Sequence, residues 1–182
     1  HQVRRGTYMT RTVIVTGSTS GIGLGIAQAF AKDGANIVMN GLGDPGEIEN
    51  IRLMMEAENG VHVIHHAADM TKPEEIADMI APAEQKFGRL AVLVNNASVL
   101  RPGALDTLSL ELWNQVLAVN LSGYLLCAQA FGRSMLARGQ GRMVHVASIA
   151  AHYPQPNSGA YSAAKAGVSM LSRQIAVEWG PR

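Results

Sequence analysis

Short apolar runs rich in β-branched residues alternate along this chain with stretches whose apolar positions recur every three or four residues. Thr12 to Thr16 predicts a first strand. A helical period follows, with Ile22, Ile26 and Phe30 on one face and Gly34 at its end. Asn36 to Asn40 predicts a second strand. Asp44-Pro45-Gly46-Glu47 is a helix start, with an Asx cap, Pro at the first helical position and Glu three residues after the cap. Ile48, Ile51 and Met55 form the apolar face of that helix, which Gly60 closes.

Val61 to His66 predicts a third strand, and Thr71-Lys72-Pro73-Glu74 reads as a second capping box. It opens a helix with Ile76, Met79, Ile80, Ala83 and Phe87 inward and an expected kink at Pro82. Ala91 to Val94 predicts a fourth strand. Ser109 caps a long helical stretch to about Arg138, bent near Asn120. Met143 to Ala147 predicts a fifth strand, and Gly159 to Trp179 a last helix stopped by Gly180-Pro181. Strands alternating with helices, with few hairpin signals, predict βαβ units: a three-layer α/β fold with a doubly wound parallel sheet of the Rossmann type. Position 182 follows a helix, so the chain is expected to end before a sixth and seventh strand. His1 to Tyr8 form a polar arm ahead of Met9, and residues 9–182 are expected to be one domain.

Composition narrows the classes. With 47% hydrophobic and 16% charged residues the chain is too apolar for disorder. A net charge of +1 excludes a strongly basic nucleic-acid surface. No run approaches the length of a membrane span. The single cysteine, Cys127, excludes a disulfide framework, reads as a buried small apolar residue and points to a reducing, cytoplasmic setting. His65 and His66 point to opposite faces of a strand, which argues against a metal site with His62. His152 reads as a surface-loop histidine, with lining of a substrate pocket as the alternative, and Trp113 and Trp179 read as packing residues.

Two motifs carry chemistry. Gly17-Ser18-Thr19-Ser20-Gly21-Ile22-Gly23 lies between the first strand and the first helix. Its glycines allow a tight turn and close approach of a pyrophosphate to helix N-terminal amides. No Lys-Ser/Thr pair follows, so it is not a P-loop. Tyr161 and Lys165 share one face of the last helix, and a nearby ammonium lowers a tyrosine pKa from its usual ~10 toward general acid/base use. The glycine loop, Asp69, Asn95-Asn96-Ala97 and Ser148 all follow strands, which places them at one sheet edge.

From Thr12 to Arg182, this set resembles the short-chain dehydrogenase/reductase family. The resemblance implies a nicotinamide-dependent enzyme acting on alcohols or carbonyls. It makes Tyr161 the general acid/base, with Lys165 beside it holding the nicotinamide ribose. Ser148 is then the donor to the reacting oxygen, and Asn120 the support of a water relaying protons through Lys165. Cofactor contacts are expected from the glycine loop, Leu42, Asp69 and Met70, Asn95 and Ala97, and Tyr161 and Lys165, with Asp69 at the adenine amino group and Asn95 near the adenosine ribose. Ser98 stands where the family usually has Gly. NAD is expected over NADP, because no Arg or Lys occurs in Asn40 to Asp44. The family's usual assembly implies a homotetramer, with Ala128, Phe131, Met135, Val168, Leu171 and Ile175 as its candidate surface.

Segments 40–49 and 68–73 are similar to bacterial 3-hydroxybutyrate dehydrogenases. Those enzymes carry Gln, His and Lys for the substrate carboxylate where this chain has Leu100, Ala150 and Ser158. A neutral or hydroxylated alcohol or ketone is therefore expected over 3-hydroxybutyrate, with Arg101 the one residue that keeps the carboxylate alternative open. A rival of another class is a nucleotide-binding regulatory protein without turnover.

Overall fold

A computed structural model describes residues 11–182; the polar arm expected over His1 to Tyr8 lies outside the described residues. Five parallel strands form one sheet: β1 (Thr12–Val15), β2 (Asn36–Asn40), β3 (Val63–His66), β4 (Leu90–Asn95) and β5 (Arg142–His145), in the order β3-β2-β1-β4-β5. The chain winds outward from β1 to β3, then restarts at β4 on the other side. The switch in direction between β1 and β4 opens a crevice at the carboxyl ends of the strands.

Helices cover both faces. Val13, Val15, Ile37 and Met39 face α1 (Gly21–Lys32) and α2 (Pro45–Asn59), while Ile14, Val38 and Leu93 face α3 (Pro73–Phe87) and α5 (Gly123–Arg138). Because β1 is buried on both faces, it reads as a continuous apolar run. The long helical stretch begins with α4 (Leu110–Leu117), capped by the Ser109 hydroxyl, which accepts from Leu112 N at 3.1 Å. The expected bend is a π-helical turn over Ala118–Ser122, and the chain continues into α5. The last helix, α6 (Gly159–Trp179), packs against α4, α5 and the π-turn.

Several expectations are corrected. Ile22 is 71% exposed, because α1 turns the small residues Gly23, Ala27 and Ala31 to the sheet and so lies close to it. No capping box forms at Thr71. Lys72 is the cap position of α3, and the Thr71 hydroxyl donates to Asp69 Oδ1 at 2.8 Å instead. Pro82 lies inside that helix, as its place in the apolar period implied. Ala128, Phe131, Met135 and Val168, candidates for a subunit surface, are interior to the chain itself. The outward apolar side chains of α5 and α6 are Leu125, Met170 and Val177.

Candidate active site

The glycine loop is a cradle that backbone groups fill to contact. A Cβ on Gly23 would fall 2.1 Å from the Gly17 carbonyl oxygen, and one on Gly17 would fall 2.8 Å from Ala97 Cα. Gly17 also adopts φ +63°, a conformation that favours glycine. Side-chain amides hold the cradle from two sides. Asn96 Nδ2 donates to the Thr16 and Gly17 carbonyls at 3.0 and 3.1 Å, while the Thr16 hydroxyl accepts from Asn96 N and Ala97 N at 2.9 and 3.0 Å. The Gly17 amide donates to Asn40 Oδ1 at 3.2 Å, and Asn40 Nδ2 reaches the carbonyls of His66 and Ala68 at 3.1 and 2.9 Å. Asn40 and Asn96 were given no role of their own by the sequence; an amide side chain on the last residue of a strand or on the residue after it is the signal that marks them.

The loop leaves its outer rim open. Ser20 precedes α1 with no side-chain cap bond, so the first amides of that helix have no side-chain acceptor. Ile22 and, after β2, Leu42 are 71% and 67% exposed beside it. Thr19 Oγ1 donates to the Leu42 carbonyl at 3.4 Å, bringing the loops after β1 and β2 together. Asp44, the first acid after β2, accepts from Glu47 N at 2.9 Å as the cap of α2. A backbone cradle with no room for Cβ atoms, free helix N-terminal amides and an apolar rim fit a dinucleotide.

Other expected contacts divide. Asp69 Oδ1 accepts from Thr71 N and Oγ1 at 2.9 and 2.8 Å; these bonds hold its carboxyl below the usual range and leave Oδ2 for a further donor. Ser18 is fully buried, with its hydroxyl donating to the Val15 carbonyl at 2.7 Å, so its side chain braces the turn rather than facing a ligand. Met70 packs in the core, its sulfur 3.5 Å from Cys127 Sγ. Burial pushes that thiol up to about 12. Asn95, expected near the adenosine ribose, is buried instead. Its Nδ2 donates to the Tyr124 carbonyl at 3.0 Å and meets His145 Nδ1 at 3.1 Å, while its own carbonyl accepts from Val146 N at 2.9 Å. It ties β4 to α5 and β5.

The residues expected to react lie where β5 ends and α6 begins. Ser148 heads a 3₁₀ turn, Ile149–Ala151, and its hydroxyl accepts from Ala150 N at 3.1 Å. That turn packs against α6, whose first turns carry half-buried Tyr161 and buried Lys165. Lys165 Nζ lies 5.8 Å from the Tyr161 ring centroid. Burial draws the ammonium from the ordinary 10.5 to about 8. It donates to the Val146 carbonyl at 2.8 Å and to the Tyr124 hydroxyl at 3.0 Å, a partner the sequence did not disclose. Asn120, in the π-turn, is fully buried with its amide committed to Val99, so any part in holding a relay water falls to its main chain. The loops on either side are tied together: Gly103 N donates to the Asn157 carbonyl at 3.0 Å. Leu105 closes on Gly159, and the rim around the site carries exposed Leu100, Leu105, Ile149 and Tyr153. His152 is also exposed there, whereas the Trp179 ring packs onto Gly132, where a Cβ would fall 2.7 Å from it. Among the described residues, no three His, Cys, Asp or Glu side chains gather as a metal site, and no helix is long and apolar enough to cross a membrane.

A sequence model of the short chain dehydrogenase family matches residues 11–182. The chain belongs to that family. A D-beta-hydroxybutyrate dehydrogenase of Rhizobium meliloti is 43% identical over 170 residues, which cover 93% of this chain and 66% of that protein. A D-threitol dehydrogenase of Mycolicibacterium smegmatis is 39% identical, covering 94% of this chain and 65% of that protein. The chain thus spans just under two thirds of these relatives. An alcohol dehydrogenase from the archaeon Thermococcus sibiricus, solved in complex with 5-hydroxy-NADP, superposes with a TM-score of 0.87 at 28% identity, over 94% of this chain and 72% of that one.

Proposed function

We propose that this chain is the dinucleotide-binding and catalytic part of an NAD-dependent oxidoreductase acting on a secondary alcohol or its carbonyl. The observation that carries the reading is one strand edge holding both a glycine cradle and the Ser148, Tyr161 and Lys165 side chains. The nicotinamide would supply the hydride acceptor or donor. The cradle at Gly17, Gly21 and Gly23, with Thr19, Ser20 and Ile22, would hold the pyrophosphate; Asp69 Oδ2 would accept from the adenine amino group, and Leu42 would pack against the adenosine. Tyr161 moves the proton at the substrate oxygen and Ser148 orients that oxygen, with the Lys165 ammonium beside the Tyr161 ring. NAD is preferred over NADP because Leu42, Thr19 and Gly41 offer no positive charge to a 2′-phosphate.

The substrate is a neutral or hydroxylated alcohol, a polyol or ketone. Exposed Leu100 and buried Ala150 give a carboxylate no partner, and the Arg101 guanidinium turns back onto the Leu100 carbonyl at 3.2 Å. A 3-hydroxybutyrate substrate is the second reading, favoured by the 43% identical relative. A homotetramer in the cytoplasm completes the proposal, with Leu125, Met170 and Val177 as apolar surface for a partner and the single free cysteine suited to a reducing compartment.

Turnover by Tyr161→Phe tests the reading. The variant is expected to keep NADH binding and lose about 10²–10⁴ in kcat. Equal activity in the variant would refute the mechanism. NADH binding by the unaltered chain with no turnover of any alcohol would favour the regulatory rival.

A further inference from the structure

Lys165 is the one charged side chain in the core of the described residues, 1% exposed, and no carboxylate there lies within ion-pair distance of it. A buried ammonium without a counter-charge depends on accepting oxygens. Two are present: the Val146 carbonyl at 2.8 Å and the Tyr124 hydroxyl at 3.0 Å. The Tyr124 hydroxyl in turn donates to the same carbonyl at 3.2 Å, which leaves its lone pair for the ammonium. The phenol itself is held rigidly. Its ring stacks on His145 with centroids 6.2 Å apart, and its backbone carbonyl is bonded by Asn95. Lys165, by contrast, hangs on a flexible four-carbon stem.

We propose that Tyr124 is a positioning residue for Lys165: its phenol oxygen, with the Val146 carbonyl, fixes the ammonium beside Tyr161 and leaves one of its three N–H groups for a ligand. The proposal rests on the reading of Tyr161 and Lys165 as a reacting pair. It goes beyond that reading by assigning a second tyrosine, one helical turn past Asn120, to aim the lysine and keep it charged. The titratable groups beside the ammonium are Tyr124 on α5 and Tyr161 on α6 itself, and next to Tyr124 lie His145 on β5 and Cys127 on α5. Burial pushes the Tyr124 phenol and the Cys127 thiol up and the His145 imidazole down, so these three are neutral while Lys165 titrates. The charge therefore relies on the two oxygens, and removing one disfavours it further.

The test follows the Lys165 ammonium directly. The chain is labelled with [13Cε]lysine, the Lys165 signal is assigned with Lys165→Arg, and its shift is followed against pH. The titration midpoint is expected to fall by about one pH unit in Tyr124→Phe, because a hydrogen bond to a charged group is lost while the ring remains. The alkaline limb of NADH binding should fall with it. Tyr124 replaced by 3-fluorotyrosine keeps the ring and hydroxyl but weakens the oxygen as an acceptor, so a smaller fall is expected. An unmoved midpoint in Tyr124→Phe, with circular dichroism unchanged, overturns the proposal. Where Tyr124→Phe does not fold, the fluorotyrosine variant decides: a fall supports the assignment and an unmoved midpoint overturns it. A chain that binds no dinucleotide would defeat the functional reading, yet the Lys165 titration would still decide the role of Tyr124.

Discussion

Asn120 and Val99 hold each other by a reciprocal pair of hydrogen bonds: Val99 N donates to Asn120 Oδ1 at 2.8 Å, and Asn120 Nδ2 donates to the Val99 carbonyl at 2.8 Å. The side-chain amide imitates a strand partner for the loop that leaves β4. Asn120→Ala strips the loop of both partners. An unsatisfied buried group costs about 1–3 kcal/mol. Two such groups are left, and a chain of this size loses about 2–4 °C of Tm per kcal/mol, so a fall of roughly 4–24 °C is expected by differential scanning calorimetry. A Tm within 1 °C of the unaltered chain would mean that water replaces the amide without loss.

The glycine loop makes a sharper contrast. A Cβ at Gly23 meets the Gly17 carbonyl at 2.1 Å, and that backbone atom cannot withdraw without opening the cradle. A Cβ at Gly21 meets nothing within 4 Å, although its φ of +55° disfavours any side chain. Gly21→Ala should therefore cost about 1–2 kcal/mol of stability and weaken NADH binding modestly. Gly23→Ala should cost more stability and abolish binding measured by nucleotide fluorescence. Indistinguishable affinities for the two variants would remove the cradle as the binding element.

The local code of this fold was open to reading and its side-chain directions were not. The Asp44 cap, Ser109 cap, Gly60 stop and the span of α6 follow from residues within a few positions of one another, and all four form as read. The bend near Asn120 was likewise placed, though not its form as a π-turn. Asn95, Met70 and Ser18 were assigned to a ligand by their place after strands. The Asn95 amide turns inward to the Tyr124 carbonyl and the Ser18 hydroxyl meets Asn40 N, backbone partners distant in sequence, while Met70 packs against Cys127. The same logic hid Tyr124, whose only mark in the sequence is its spacing of four from Asn120. Helical periodicity misjudged Ile22, since the sheet-facing stripe of α1 consists of small residues that carry little hydrophobic signal.

Burying Lys165 has a signature in stability. Its pKa falls from 10.5 to about 8 on folding, so between these values the unfolded chain binds more protons and stability rises with pH. Below about 8 both states are protonated and the full cost of the buried charge is present. Lys165→Met removes that cost while the Tyr124 hydroxyl keeps its bond to Val146. The advantage in Tm of Lys165→Met over the unaltered chain should be largest at pH 7 and shrink toward pH 10, with turnover lost throughout. A difference in Tm that does not change with pH would show that the ammonium is not dehydrated in the fold.

On the proposed reading, substrate choice turns on four positions around Ser148 and Tyr161. Leu100 is 52% exposed and Ala150 is buried, and neither can hydrogen-bond a carboxylate through its side chain. Ser158 lies at the strap between the two loops, paired with Gly103. Apart from the buried Lys165, the cation on the loop after β4 is Arg101, and it is exposed and turned onto the carbonyl of its own neighbour. A carboxylate held against Leu100 and Ala150 would lose its water with little in return. A hydroxyl loses far less on the same surface and can be met by Ser148 or Ser158. The chain, or the longer protein that contains it, should therefore oxidise neutral secondary alcohols and polyols such as threitol with a higher kcat/KM than 3-hydroxybutyrate, in the presence of NAD. Arg101→Ala should leave the polyol reaction unchanged. A clear preference for 3-hydroxybutyrate that disappears in Arg101→Ala would show that the guanidinium swings to the carboxylate, and would overturn the neutral-substrate reading.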